Sequence, residues 1–422
     1  MKVCLLSHSD GRGGGYAAAY RLHQGLRKMG VDSTMLVGDK TRDDHTVLSP
    51  NSKLAKGWSK LTPTLDHLPL ILYPKRDRTP YSIQWIPDRI ASQVAQLAPD
   101  IINLHWVNAG YLQIETVARL NKPLVWTIHD MWPFTGGCHY SGECDRYMKS
   151  CGSCPQLHSD QDWDISRWVW QRKAKNWKNL NLTIITPSRW LADCAKNSSL
   201  FQNLRIEVIA NGLDIKTYRP IEQKLARHLL NLPHDKQLIL FGAMSANSDH
   251  RKGFQFLLPA LQKLNQTKQP YQIELVVFGA SEPIDSPDLG FKVHYLGRLN
   301  DDILLALVYS AADVMIVPSI QESFGQTASE ALSCGTPVVA FNATGLKDIV
   351  EHQQNGYLAQ PFEVEDLAKG IAWVLEDRER YGKLCDRARE KVVQEFSLEV
   401  QAKYYLSVYQ DIYKFYLCTA RE

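Results

Sequence analysis

Strand-length apolar runs alternate with stretches of helical periodicity from one end of the chain to the other, and no other feature narrows the fold as far. A strand buried on both faces reads as a continuous apolar run, and pairing it in parallel with its successor requires a crossover, usually a helix. The runs predict strands at Val3 to Ser7, Thr34 to Val37, Ile101 to His105, Leu124 to Ile128, Leu182 to Thr186 and Ile206 to Ile209 in the first half. In the second half they predict Leu238 to Phe241, Ile273 to Phe278, Lys292 to Leu296, Val314 to Val317 and Pro337 to Phe341. Each block reads as a Rossmann-like unit of an α/β protein. With 422 residues the chain exceeds what one hydrophobic core serves, so two domains are expected. The break falls at Asn211-Gly212-Leu213-Asp214 and Tyr218-Arg219-Pro220, where a turn signal and a proline part the two blocks. The expected domains are residues 1–215 and 216–397, followed by a Tyr-rich helix over Leu398 to Leu417 in a last segment, 398–422. Residues 50–90 break the alternation, with Trp58, Pro63, Pro69, Pro74, Pro80 and Pro87 interrupting any regular element.

Hydrophobic residues make up 44% and charged residues 22% of the chain, as in soluble globular proteins, and the net charge of +3 is too small to imply a nucleic-acid partner. Met1 to His8 reads as a short strand entering a polar turn, unlike the apolar region of a signal peptide, and no window is long and apolar enough to span a bilayer. The expectation is a cytoplasmic protein, with any membrane contact confined to the inner surface.

The segment Pro318 to Ala340 carries the chemistry. An open α/β sheet binds its ligand beyond the carboxyl ends of its strands, and Asp313 to Val317 followed by Pro318-Ser319 brings the chain to such an edge. Glu322 then sits in a loop facing the ligand, and a helix opening near Ser323, Phe324 and Gly325 offers unpaired N–H groups and a positive dipole end to a phosphate. Glu330 follows Glu322 by eight residues, about two helical turns, and reaches a different part of the same ligand. Asp10-Gly11-Arg12-Gly13-Gly14-Gly15 follows the first strand and permits close backbone approach to an anion, but lacks the G-x-G-x-x-G order and distal acid of a dehydrogenase. His129-Asp130 ends one predicted strand, and Arg251-Lys252-Gly253 opens a helix after another.

Glu322 and Glu330, with their Pro-Ser, Phe-Gly, Glu-Ala-Leu and Cys-Gly-Thr-Pro-Val-Val flanks, resemble the E-x7-E signature of the retaining glycosyltransferases of family 4, also called group 1. The resemblance runs from Gly14 to the last helix. It implies the GT-B architecture: two Rossmann-like domains facing a cleft, an Asn-Gly-x-Asp segment at the hinge and a last helix crossing back to the first domain. It implies a catalytic set of Glu322, His129 and Lys252, with Glu322 and His129 on the donor sugar. Glu330 goes to the ribose, and Lys252, Arg251 and the backbone of Ser323, Phe324 and Gly325 to the donor phosphates. Gly14 and Gly15 match a glycine loop that lies across from the diphosphate. Many members carry Gly-Arg where this chain has Gly242-Ala243, and Arg251 is the expected replacement. The implied reaction is hexosyl transfer from a UDP- or GDP-sugar to a saccharide or lipid-linked saccharide in surface polysaccharide or glycolipid assembly, with no catalytic metal expected. The alternatives are an epimerase or hydrolase of nucleotide sugars, or a non-catalytic, zinc-stapled binding protein.

Cys138, Cys144, Cys151 and Cys154 form a C-x5-C-x6-C-x2-C cluster with His139 and His158 beside it. A structural zinc held by four thiolates, disulfides and unlinked thiols are the three readings of this spacing. The string from His129 to Leu157 resembles the exopolysaccharide and colanic-acid branch of the family. Downstream, Trp163, Trp168, Trp170 and Trp177 interleave with Arg167, Arg172, Lys173, Lys175 and Lys178, which reads either as a helix at a membrane surface or as one packed on the first domain. Residues 50–90 read as an acceptor-binding insert or a mobile surface loop.

Overall fold

The computed structural model describes residues 1–50, 52–242, 249–267, 272–281 and 288–419. Contacts divide the chain into a first unit, Met1–Gly212 with Gln401–Glu422, and a second unit, Leu213–Val400.

In the first unit seven strands pair in parallel in the order β3-β2-β1-β4-β5-β6-β7: β1 Lys2–Ser9, β2 Asp32–Asp39, β3 Val47–Leu48, β4 Ile101–Leu104, β5 Leu124–Thr127, β6 Leu182–Thr186 and β7 Arg205–Val208. Successive side chains of a strand point to opposite faces, so one sheet has two cores. Cys4, Leu6, Leu36, Ile102, Trp126 and Ile184 pack on one face, while Val3, Leu5, Met35, Val37, Val125 and Ile185 pack on the other. The helices of this unit are α1 Gly14–Lys28, α2 Lys53–Asp66, α3 Ile90–Leu97, α4 Ile114–Val117, α5 Ile165–Trp177 and α6 Arg189–Asn197.

Six parallel strands build the second unit, in the order β10-β9-β8-β11-β12-β13: β8 Gln237–Gly242, β9 Ile273–Phe278, β10 Val293–Tyr295, β11 Val314–Val317, β12 Val338–Phe341 and β13 Gly356–Ala359. Its helices are α7 Gln223–Leu229, α8 Phe254–Thr267, α9 Asp302–Ala311, α10 Gln326–Ser333, α11 Leu346–Ile349, α12 Val364–Glu376 and α13 Arg378–Glu395. The last helix, α14 Leu398–Thr419, returns to the first unit as expected. Its Ala402, Tyr405, Tyr409 and Ile412 lie on one stripe and join the core beneath β1 and β5. Tyr409 Oη accepts from Asn103 Nδ2 at 2.6 Å, and Tyr405 Oη lies 3.0 Å from Thr127 Oγ1.

All eleven expected strands are present, and two were missed. Both are edge strands: β3 has two residues, too few to show a pattern, and β13 opens on a glycine that shortens its apolar run. A larger departure lies in residues 50–90, where α2 forms with Pro63 inside it. Proline removes one helical N–H and leaves the carbonyl of Ser59 without its donor. Thr62 Oγ1 takes that carbonyl at 3.1 Å, and Ser52 caps the helix by accepting from the Ala55 N–H.

Candidate functional site

In both units the strand order reverses direction once, between β1 and β4 and between β8 and β11, and at such a switch point the loops leaving neighbouring strands diverge and open a crevice. In the second unit Arg251 and Lys252 follow β8, in a 3-10 turn, and Glu322 follows β11. Lys252 Nζ lies 2.5 Å from Glu322 Oε1 and Arg251 Nη1 lies 3.8 Å from the same oxygen. Burial alone would raise the Glu322 carboxyl. Lys252 and Arg251, with hydrogen bonds from Lys252 and Ser319, outweigh burial and hold it below the ordinary range, so it is ionised at neutral pH.

The backbone around this trio is tightly constrained. Arg251 donates to Gln321 O and to Asp249 Oδ2, while Ile320 N–H donates back to Arg251 O at 2.8 Å. Gly253 has φ +75°, and a Cβ there would stand 1.8 Å from Pro318 O, so the approach of the two loops requires glycine. Thr344 Oγ1 accepts from the Glu322 N–H at 3.1 Å, and Ser319 Oγ donates to Glu322 Oε1 at 3.2 Å. Gly325, at φ +107°, precedes α10, and Phe324 beside it is buried against Phe396. Glu330 lies inside α10, buried, and accepts from Tyr309 Oη at 3.0 Å. Glu322, Ser323, Phe324, Gly325, Arg251 and Lys252 thus share one strand edge, with Glu330 on the helix behind. Ala243, the position of the absent family arginine, lies outside the described residues.

Gly14, Gly15 and His129 belong to the first unit. Gly14 opens α1 at φ +45°, and a Cβ on Gly15 would come within 3.0 Å of the His129 ring, so the glycine turn lies directly against that histidine. His129 follows β5, is buried, and has its pKa lowered to about 4 by burial against the opposing pull of Asp130, so the ring is neutral at pH 7. Its Nε2 lies 3.1 Å from Nδ1 of His105, and the two rings stack. Burial, and His129 after it, hold His105 well below the usual histidine range.

His105 and Trp106, which follow β4 as His129 follows β5, were not singled out from sequence, although the same strand-end rule finds them. Trp106 Nε1 donates to Asp130 Oδ2 at 2.9 Å, and His139 Nδ1 lies 2.7 Å from that oxygen. Burial would raise Asp130, but His139 and these hydrogen bonds hold it below its ordinary range. Nε2 of His105 and of His8, at the end of β1, are buried without a hydrogen-bond partner among the described residues.

Two family models match this chain. Residues 12–217 match Glycosyltransferase Family 4, and residues 223–391 match Glycosyl transferases group 1. The chain belongs to the family 4, or group 1, glycosyltransferases. It is 35% identical over 202 residues to a D-inositol 3-phosphate glycosyltransferase of Xylanimonas cellulosilytica, which is 44% of this chain and 46% of that protein. The chain spans about half the length of the curated relatives it matches. Among solved structures it is similar to sucrose-phosphate synthase from Thermosynechococcus elongatus, with TM-score 0.69 and 21% identity over 98% of this chain and 100% of that one. It is also similar to Anabaena HepE in complex with UDP-glucose, with TM-score 0.65 and 19% identity over 97% of this chain and 100% of that one. These likenesses establish the GT-B fold.

In this family 4 chain three of the four clustered cysteines are packed in the core of the first unit. Cys138, Cys151 and Cys154 are buried in the first unit's larger core and Cys144 is partly exposed, yet among the described residues no group of three or more His, Cys, Asp or Glu is placed to hold a metal ion. The flanking histidines are engaged elsewhere: His139 with Asp130 and Ser82, His158 with Asp77. Burial raises the Cys138 and Cys154 thiols and pushes Cys151 up to about 12. None of the nine cysteines is linked in a disulfide.

The tryptophan-rich helix is a packing element. In α5, Trp177 meets Trp126 and Trp132 edge-on, and Lys173 is fully buried, 3.6 Å over the Trp132 ring and donating to Trp132 O and Thr135 O. Arg172 makes a two-pronged pair with Glu115. Of the basic and aromatic residues expected at a membrane surface, Lys173 and Trp177 are buried and Arg167, Trp170 and Arg172 are half-buried, while Trp163, Trp168, Lys175 and Lys178 are exposed. Among the described residues no helix is long and apolar enough to cross a membrane.

Proposed function

We propose that this protein is a retaining hexosyltransferase that takes a UDP- or GDP-sugar and extends a saccharide or lipid-linked saccharide, in surface polysaccharide or glycolipid assembly. The observation that carries the reading is the trio of Lys252, Arg251 and Glu322 at the switch point of the second unit. When a glycosidic bond to a diphosphate breaks, negative charge grows on the β-phosphate while the sugar becomes oxocarbenium-like, and fixed positive groups lower that barrier most. Lys252 and Arg251 supply the charge, and the N–H groups opening α10 after Ser323, Phe324 and Gly325 extend it. Lys252 exchanges Glu322 for the diphosphate on donor binding, which frees the ionised carboxylate to accept from sugar hydroxyls. Glu330, steadied by Tyr309, is assigned to the ribose.

From the first unit, family resemblance assigns His129 to a hydroxyl of the transferred sugar and Gly14-Gly15 to the diphosphate. A neutral imidazole suits that work, since it orients a hydroxyl without competing for the phosphates. HepE was solved with UDP-glucose, which supports a nucleoside diphosphate sugar as the donor. Nine free cysteines support a reducing, cytoplasmic setting.

The test is a melting-point panel of uridine, guanosine and adenosine diphosphates and their sugar conjugates on wild type, Lys252→Ala and Glu330→Ala. A ligand at a hundred times its Kd adds about 2.7 kcal/mol of apparent stability. One base class should stabilise wild type, and both variants should lose most of that shift. Proton NMR of the product with the stabilising donor should then show the donor's anomeric configuration kept. No shift with any nucleotide overturns the reading, and turnover without acceptor turns it to an epimerase or hydrolase.

A further inference from the structure

The segment over α2 and the 3-10 turn Leu68–Leu72 is built inside out. Residues 54, 58 and 61 share one stripe of α2 at i, i+4 and i+7, and these are Leu54, Trp58 and Leu61, all exposed, Leu54 by 88%. The turn that follows adds Leu68, Ile71 at 72% and Leu72 at 79%. Of 22 large apolar side chains exposed among the described residues, these six fall within 19 consecutive positions, where an even spread gives about one.

The stripe that faces the protein is the polar one. Ser59 Oγ donates to Gly38 O, Thr62 is buried, and Asp66, fully buried, accepts from the Ile83 N–H. Polar bonds therefore set the orientation of α2, and they hold its leucines and tryptophan outward. A third stripe, again at i, i+3 and i+7, carries Lys53, Lys56 and Lys60, and Lys75, Arg76 and Arg78 follow the turn. The acids within residues 53–78 are Asp66, buried, and Asp77, paired with His158.

We infer that this face is a docking surface for a bilayer rich in anionic lipid. An apolar stripe flanked by lysines is the pattern of a helix lying in the interface plane: its apolar side chains enter the acyl boundary and its ammonium groups remain with the headgroup phosphates. Trp58 suits the same depth, because its ring is apolar while its N–H needs a polar partner. A protein partner would have to match both the apolar stripe and a near-unbroken positive rim, which an anionic membrane does without sequence-specific fit. The inference stands apart from the proposed transfer reaction, since its readout is vesicle binding and not turnover.

The experiment is co-sedimentation of the full chain with vesicles of phosphatidylcholine alone or mixed with phosphatidylglycerol. Wild type should partition onto the mixed vesicles at least about tenfold more strongly than onto phosphatidylcholine, and added salt should weaken it. The Leu61→Asp, Ile71→Asp, Leu72→Asp variant should lose at least about tenfold with its melting point kept, since these side chains are exposed. Trp58→Ser, and separately the glutamine triple at Lys53, Lys56 and Lys60, should each lose part, which decides the matter if the first variant does not fold. Wild type left in the supernatant with both vesicle types overturns the inference, as does an aspartate variant that binds as well as wild type. So does a wild-type dimer in light scattering that the aspartate variant splits, which would assign the face to a second copy.

Discussion

At the switch point of the first unit the strand ends carry His8, His105, Trp106 and His129, and burial holds His105 and His129 neutral. At the switch point of the second, the loops after β8 and β11, the counterparts of β1 and β4, carry Arg251, Lys252 and Glu322, all charged and paired. Strand order places loops, while the residues on those loops decide what is bound. The charged edge suits a diphosphate, whose binding must be strong and whose negative charge grows during reaction. The neutral, aromatic edge suits sugar hydroxyls, which are oriented by hydrogen bonds and stacking.

That contrast breaks most directly through rate. Lys252→Ala should lower kcat by about 10²–10³-fold, the range for removing one donor from developing charge, while His129→Asn should cost no more than about tenfold. Equal losses would mean that the first unit's edge is as electrostatic in its work as the second's. Acidification separates the edges by pH window. His129 has a folded pKa of about 4, below the ordinary 6.5, so the unfolded chain takes the proton first. Its contribution is full above pH 6.5 and is lost as pH falls toward 4, by at most about 3 kcal/mol. His129→Asn should flatten that slope in urea melts. Glu322, with its pKa depressed, gives stability that is present above the ordinary carboxylate range and is lost only as pH falls below it. Glu322→Gln should therefore leave the slope between pH 6.5 and 5 unchanged.

Backbone substitutions sharpen the contrast further. Gly253→Ala meets Pro318 O and should cost at least about 2 kcal/mol in urea unfolding, whereas Gly14→Ala, with φ +45° and nothing within 4 Å, should cost about 1 kcal/mol. The smallest effect expected is none. Incubation with a strong chelator should leave the melting point of the first unit where it was, because Cys138, Cys151 and Cys154 are packed in its core; a fall of several degrees would mean that they hold a metal.

Much of the second edge was legible before any coordinates. Glu322, Arg251 and Lys252 each follow a buried apolar run, and a polar residue at such a point has one place to go. The same logic reaches His105, at the end of the apolar run from Ile101. What could not be read are the partners supplied by other elements: Tyr309 on Glu330, Thr344 on the Glu322 N–H, Asn103 on Tyr409. The cysteines show the reverse case. Their spacing suggests a metal, but spacing along the chain does not say which way a sulfur turns, and here Cys138, Cys151 and Cys154 lie in the core while the neighbouring histidines bond to Asp130 and Asp77.

In α2 the prolines argued against a helix, and a threonine hydroxyl one residue before Pro63 absorbed the cost. The two parallel sheets and the edge on which the charged residues stand are written in the chain, since each follows from local periodicity and from the few topologies that bury it, while the return of the last helix was implied by the family resemblance. That Lys252 closes on Glu322, that His129 is neutral against His105 and that leucines of α2 face outward emerges only in the folded chain. Those outcomes depend on contacts between residues far apart in the chain, and no local pattern records them.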